Sequence, residues 1–244
     1  MILRRFKAHV ENENWFAVGI DFCIVVIGVF IGIQVANWNE VRAERERLAT
    51  QLDGFSTELT MARDDLVSLE AYALQRASDA SALRKRLSED GPALTEEDFN
   101  RLAMSALRST SLTVTYRNFD ELSSSGGLSL LNDEALRDLM SQWDTQLSTI
   151  RTIDGTSEEF RATSVVPVFM STFVLGNSFK TDDRYTNFTH TDRFEFDLQS
   201  VRQNLEFDNA LSLRQVLAAQ QANMLTDFRD ISDELIAALE KSQP

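Results

Sequence analysis

The chain has 244 residues, 43% of them hydrophobic and 9% aromatic, with 24 basic against 38 acidic side chains. That length suffices for one sizeable domain with an appendage or for two small ones, and nine Gly with three Pro argue against an all-β sandwich built on many tight turns. A net charge of −14 excludes a sequence-blind nucleic-acid binder, and one Cys with two His exclude a disulfide framework, a thiolate zinc site and an iron–sulfur cluster.

Residues 1–14 read as a short cytoplasmic tail and residues 15–38 as a transmembrane helix. From Phe16 to Ala36 the chain runs FAVGIDFCIVVIGVFIGIQVA, twenty-one residues with one charge, and a membrane span needs about 20 mostly apolar residues. Trp15 and Trp38 bracket the run, where amphipathic rings prefer the headgroup level. A cleaved signal peptide fits poorly, because the apolar region is too long and Gln34 falls at −3 if cleavage follows Ala36. Nor is this a lipobox, since Cys23 lies near the start of the apolar run. Arg4, Arg5, Lys7 and the free amine on the near flank, against Arg42, Arg45 and Arg47 on the far one, bias the N-terminus slightly toward the cytoplasm. A long body translocates regardless of charge, so the expected topology is N-terminus in, body outside.

Three features of the span are candidates for function. Gly28, Gly32 and Ala36 are spaced by four, a small-xxx-small face along which two helix backbones approach closely. Asp21, seven residues before Gly28, shares roughly that face. Two readings of it stand side by side: a carboxylate in an intramembrane interface, or one only about 9 Å past Trp15 that reaches headgroups and benefits from the helix N-terminus. Gln34 reads as an interhelical hydrogen-bonder.

The stretch IVVIGVFIGIQVANWNEVR, Ile24 to Arg42, resembles the hallmark of a family of bacterial membrane proteins known only as a domain of unknown function. Its pattern is an early acidic residue followed by VIG-x-x-I-x-x-Q-x-x-NWNE, matched here by Asp21, Gly28, Gln34, Asn37, Trp38, Asn39 and Glu40. A second patch, NFDELSSSGGLSLL from Asn118 to Leu131, is similar to the family's F-x-E-L-x-x-S-G-x-L-x-x-L segment, with Phe119, Glu121, Leu122, Gly126 and Leu128 in register. Many relatives carry Glu where Asp21 stands. The resemblance implies a membrane-tethered helical protein of the bacterial inner membrane and brings no activity with it.

Residues 39–244 read as an all-α extramembrane domain, an antiparallel helical bundle. Alternating steps of four and three from Val41 give Val41, Arg45, Leu48, Leu52, Phe55, Leu59, Ala62, Leu66, Leu69, Ala73, Arg76, Ala80, Leu83 and Leu87, an apolar seam interrupted only by the two arginines. Gly54 is its weak interior point, and Gly91-Pro92 predicts the stop. An intermolecular coiled coil is the competing use of this seam, but later helices offer partners of matching length. Thr95-Glu-Glu-Asp98 is a capping-box-like start for a helix with Phe99, Leu102, Ala103, Ala106 and Leu107 inward. Asn132 is expected to cap the next, which carries Leu136, Leu139, Met140, Trp143, Leu147, Ile150 and Ile153 and should kink or end at Pro167. Asp208 or Asn209 is expected to open the last, with Leu213, Val216, Leu217, Leu225, Phe228, Ile231, Leu235, Ile236 and Leu239 apolar. Leu112 to Tyr116 is a β-rich pentamer too isolated for a sheet. Residues 176–205 form a polar loop studded with Phe179, Tyr185, Phe188, Phe194 and Phe196, which reads as a cap on the core or a docking surface.

No catalytic constellation stands out. His190 is the single histidine of the outer region and no G-x-S-x-G turn accompanies it, so nucleophile-plus-base chemistry lacks a base. Ser123 to Gly127 lacks the Lys-Ser/Thr of a phosphate loop and reads as an interhelical turn. Asp182, Asp183, Asn187 and Asp192 do not follow EF-hand spacing, and the Glu-x-x-His of a di-iron bundle is missing. No metal and no cofactor are expected. The leading expectation is a non-enzymatic interaction or assembly module, an accessory subunit that contacts the lipid bilayer and, through the span, other integral membrane proteins or a second copy. A periplasmic ligand sensor and an unrecognised carboxylate-based enzyme stand as alternatives.

Overall fold

Residues 15–88, 93–172 and 196–242 are described by a computed structural model. They are all-helical, with no strand among them. In chain order they form α1 (Trp15–Leu87), α2 (Glu96–Leu107), α3 (Arg117–Ser124), a 3₁₀ turn (Gly127–Leu130), α4 (Glu134–Phe160), a π-helical turn (Arg161–Val165), α5 (Val166–Thr172), α6 (Leu198–Arg202) and α7 (Leu205–Ser242). The contacts divide the chain into two units, Met1–Gln51 and Leu52–Pro244.

In the first unit the described structure is the N-terminal part of α1. Its large apolar side chains from Ile20 to Val35 are exposed, Phe22 at 69% and Phe30 at 60%. By length and composition α1 is the one helix among the described residues able to cross a membrane, and none of its most apolar window is buried within the protein. Beyond that window Arg42 donates to Glu46 at 2.9 Å, one turn along the surface.

In the second unit the predicted seam becomes a core. Phe55, Leu59, Ala62, Leu66, Ala73, Ala80 and Leu83 are buried, and each large one among them stabilises the fold by about 1.5–3 kcal/mol through loss of apolar surface from water. Two cores result. Phe55, Tyr116, Phe119, Trp143 and Phe228 form an aromatic cluster with ring centroids 4.7–6.4 Å apart. Ala80 and Leu83 join Phe99, Leu102, Ala106, Phe169, Phe207 and Leu211 in the other. Between α1 and α7 the polar partners include Arg63 with Asp233, Glu70 with Arg229, Arg76 with Gln221 and Arg84 with Asp208. Position on α7 falls as position on α1 rises.

Helix starts follow capping chemistry, with several shifts from expectation. Thr95 caps α2 as predicted, its hydroxyl accepting from the Asp98 N–H at 3.1 Å. For α4 the cap is Asp133 and not Asn132, because Asp133 Oδ1 accepts from the Leu136 N–H at 3.1 Å. The last helix starts at Leu205 and not at Asp208 or Asn209. Asn204 Oδ1 accepts from the Phe207 N–H at 3.0 Å, and Asp208 instead meets Arg84 at 3.2 Å. Val216, one of the apolar residues of that helix, is 60% exposed. Leu112 to Tyr116 belongs to neither a helix nor a strand, and it is anchored by burial of Leu112 and Tyr116.

Pro167 does not end the helical path. The chain stays helical through Thr172 by widening to a π-turn just upstream, where the Val166 N–H donates to the Arg161 carbonyl five residues back. The wider turn accommodates a residue with no N–H of its own. α1 ends at Leu87, and Gly91-Pro92 lies outside the described residues. So do Phe179, Tyr185, Phe188, Phe194, His190, Asp182, Asp183, Asn187 and Asp192. Of the predicted loop 176–205, residues from Phe196 onward are described, and they include α6; the Phe196 ring sits 4.8 Å from Phe99.

The glycine-rich patch is a geometric necessity. Gly126 has φ +76°, and a Cβ on Gly127 would lie 2.7 Å from Leu122 Cδ1 and 3.2 Å from the Leu122 carbonyl. Gly54, the weak point of α1, is equally constrained. A Cβ there would lie 2.7 Å from Asn118 Cγ and Oδ1. Asn118 is itself held by Glu58, whose carboxylate accepts the Asn118 side-chain N–H at 2.9 Å and its backbone N–H at 3.1 Å, capping α3 from another helix. Gly54→Ala should therefore destabilise the native chain, whereas in an Asn118→Ala background the same change should stabilise it by about 0.5–1 kcal/mol through helix propensity. Thermal unfolding of the four variants followed by circular dichroism checks this. An equal effect of Gly54→Ala in both backgrounds would show that the close approach has no energetic weight.

Candidate functional site

The first candidate is the small-residue face of the apolar stretch of α1. Gly28, Gly32 and Ala36 recur every four residues of continuous helix and so share a face. All three are exposed, and a Cβ on Gly28 or Gly32 would meet nothing within 4 Å. Gln34 is exposed, and Trp38 is 64% exposed. Trp15 and Asp21 lie on α1, with their side chains outside what is described. Cys23 is exposed. The face is thus open along its described length, as a surface for close backbone approach requires.

The second candidate lies in the helical domain and does not follow from sequence reasoning. A cleft of about 770 Å³ opens where the α2–α3 connection meets α4 and the π-turn. Its walls carry Arg108, Arg151 and Arg161 beside the apolar Met104, Leu107 and Leu112. A smaller recess shares Ser109, Thr110 and Asp154 with it and adds Arg76, Arg214 and Gln221.

The backbone of the α2–α3 connection is stitched to three helices at this point. Arg214 donates from Nε to the Ala106 carbonyl at 2.9 Å and from Nη2 to the Arg108 carbonyl at 2.6 Å. Arg76 donates to the same Arg108 carbonyl at 3.2 Å, to Thr110 Oγ1 at 3.1 Å and to Gln221 Oε1 at 2.6 Å. These guanidiniums satisfy carbonyls at the C-terminal end of α2, where a helix leaves its last acceptors unpaired and favours positive charge. Asp154 accepts the Leu112 N–H at 3.0 Å and the Gln221 amide at 2.8 Å, and Arg151 donates to the Val114 carbonyl at 3.1 Å.

The electrostatics are unusual for so acidic a chain. Arg214 is 4% exposed and Arg76 is 6% exposed. Burial first, and then the neighbouring positive charges of Arg76 and Arg161, push Arg214 down to about 10. Burial likewise lowers Arg76, with Asp154 opposing it. Glu158 is pulled to about 2, chiefly by its hydrogen bond from Arg161 and further by Ser109; Arg161 Nε lies 2.9 Å from Glu158 Oε2. The Arg108 guanidinium has no hydrogen bond or ion pair among the described residues. One sequence feature pointed here: Arg76 is one of the two charges in the apolar seam, and a charge at a buried seam position implies a built polar environment.

Among the described residues, no group of three His, Cys, Asp or Glu side chains is placed to hold a metal ion. No family model, curated protein or solved structure matches this chain.

Proposed function

We propose that the protein is a single-pass protein of the bacterial inner membrane, with residues 15–38 as the span, the N-terminus in the cytoplasm and residues 39–244 in the periplasm. In this reading the helical domain is a non-enzymatic interaction or assembly module, an accessory subunit of a larger membrane complex. One observation carries it. The large apolar side chains of α1 from Ile20 to Val35 are uncovered, while the second unit buries its own apolar seam. Bare apolar surface of that length belongs in lipid or against another span. The opposed order of partners along α1 and α7 supports an antiparallel bundle, and the VIG-x-x-I-x-x-Q-x-x-NWNE run supports membership of the uncharacterised bacterial family. The partners are the bilayer and, along Gly28, Gly32 and Ala36, another integral membrane protein or a second copy.

Two measurements test this. A reporter active only in the periplasm should work when fused after Pro244 and fail when fused before Trp15. Replacing Gly28 and Gly32 together by Leu should leave insertion intact but reduce recovery of co-purifying membrane protein by about tenfold, because bulky side chains hold helix backbones apart where lipid already satisfies apolar surface. The reversed reporter pattern overturns the topology, and unchanged recovery reduces the helix to a tether. A second reading, ligand sensing through the span, is favoured by the arginine-walled cleft.

A further inference from the structure

We propose that the cleft at the α2–α3 connection binds a small organic anion, a carboxylate or phosphate monoester carried on an apolar body. Five guanidiniums (Arg76, Arg108, Arg151, Arg161 and Arg214) surround the cleft and its recess against two carboxylates, Asp154 and Glu158. In a chain of net charge −14, this is a local excess of three positive charges.

The two carboxylates are already engaged. Glu158 is held by Arg161 and Ser109, and Asp154 by the Leu112 N–H and the Gln221 amide. Arg76 and Arg214 have a structural use, capping the end of α2 through neutral carbonyls, which neutralise none of their charge. That use does not extend to the cleft wall. Arg151 spends one donor on Val114, and Arg108 spends none within the described residues. A guanidinium offers five N–H donors in a fork that matches carboxylate and phosphate oxygens, so both retain donors for a guest.

Size and lining set the rest of the ligand. A volume of about 770 Å³ falls in the range of small-molecule sites. Met104, Leu107 and Leu112 give the same cleft an apolar wall, which favours a body that buries hydrocarbon over a bare inorganic ion. The π-turn Arg161–Val165 beside it is a rare feature frequently found at functional sites. This inference stands apart from the assembly role of the span, since it rests on no residue of α1 before Arg76.

Titration calorimetry of the full chain in zwitterionic nanodiscs tests it, with benzoate, phenyl phosphate, inorganic phosphate and benzyl alcohol as probes and empty nanodiscs as blank. Benzoate or phenyl phosphate should bind saturably, and benzyl alcohol should not. Arg108→Gln, which has no described hydrogen bond to lose, should weaken anion binding by about tenfold with an unchanged melting curve, and Arg151→Gln should act in the same direction. The proposal falls if both organic anions bind no better than benzyl alcohol, or if Arg108→Gln binds them as tightly as the native chain. It falls equally if inorganic phosphate matches phenyl phosphate, because the apolar wall then contributes nothing.

Discussion

Trp143→Ala should lower the stability of the helical domain by about 3–5 kcal/mol, the largest loss expected from any single core substitution here. Trp143 is fully buried. Its ring lies 5.1 Å from Phe55, 4.7 Å from Tyr116, 4.9 Å from Phe119 and 5.5 Å from Phe228, so one side chain joins α1, α3 and α7 to α4. Three of those contacts are steep edge-on packings, the geometry the ring quadrupole favours. Four rigid rings cannot close over the vacated volume without leaving their own rotamers, so the cavity penalty adds to the lost transfer energy. The indole N–H donates to Ser232 Oγ at 2.9 Å. Ser232 keeps its own bond to the Phe228 carbonyl at 2.7 Å, so the hydroxyl is not orphaned and packing dominates the cost. Trp143→Phe, which retains a ring, should cost roughly 1–2 kcal/mol. Thermal unfolding of the full chain separates the cases, with a fall of roughly 6–20 °C expected for alanine in a domain of this size. A melting point unmoved by Trp143→Ala would mean that the aromatic cluster is not the cooperative core.

That cluster was half legible in the sequence. Phe55, Trp143 and Phe228 fall on the inward positions of three amphipathic patterns, and period alone places them in the core. Tyr116 and Phe119 escape such reading. One ends a pentamer outside any helix and the other lies on an eight-residue helix whose start is capped by Glu58 from 60 positions earlier. The same limit governs helix boundaries. Thr95 caps its own helix through a residue three positions on, a local relation visible in the string. Asp133 over Asn132, and Asn204 over Asp208, are choices among polar residues within one turn of each other that only packing decides. Pro167 misleads because its local cost is real, while the remedy, one wider turn, depends on Val165 and Phe169 being drawn into the second core. The cleft was the least legible part. It brings Arg76, Arg108 and Arg214 from three separate stretches of chain to the helical run that carries Asp154 and Arg161, and no spacing rule connects those stretches.

The polar layer also divides the domain. On α1, Arg76 falls between Leu66, in line with the aromatic core, and Leu83 of the other. Arg214 and Gln221 fall likewise between Leu211 and Phe228 on α7, and Asp154 of α4 between Trp143 of the same helix and Val165 of the π-turn that follows it. Buried charge is an expensive way to separate two cores, since each guanidinium gives up its hydration. Its return is a fixed path for the α2–α3 connection, which has no helix or sheet of its own to satisfy its carbonyls.

The two buried arginines should be strongly coupled, and the sign of the coupling follows from their shared acceptor. Arg76 and Arg214 each donate to the Arg108 carbonyl, which has two lone pairs. Arg214→Met alone should cost about 2–3 kcal/mol, the loss of two charge-assisted hydrogen bonds offset in part by relief of the like charge on Arg76. The Ala106 carbonyl is then unpaired, but the Arg108 carbonyl still holds Arg76. Arg76→Met alone leaves it holding Arg214. Only the double variant orphans that carbonyl. Repulsion between the two guanidiniums, visible in the depressed Arg214, works in the same direction: either single change relieves it completely, so the second gains nothing further. Both effects make the double variant worse than the sum of the singles, by about 1–2 kcal/mol. Chemical denaturation of the four chains at neutral pH measures the cycle. Additive costs would show that the arginines act independently, and a double variant milder than the sum would overturn the predicted sign, showing that each arginine holds the connection only while the other is in place.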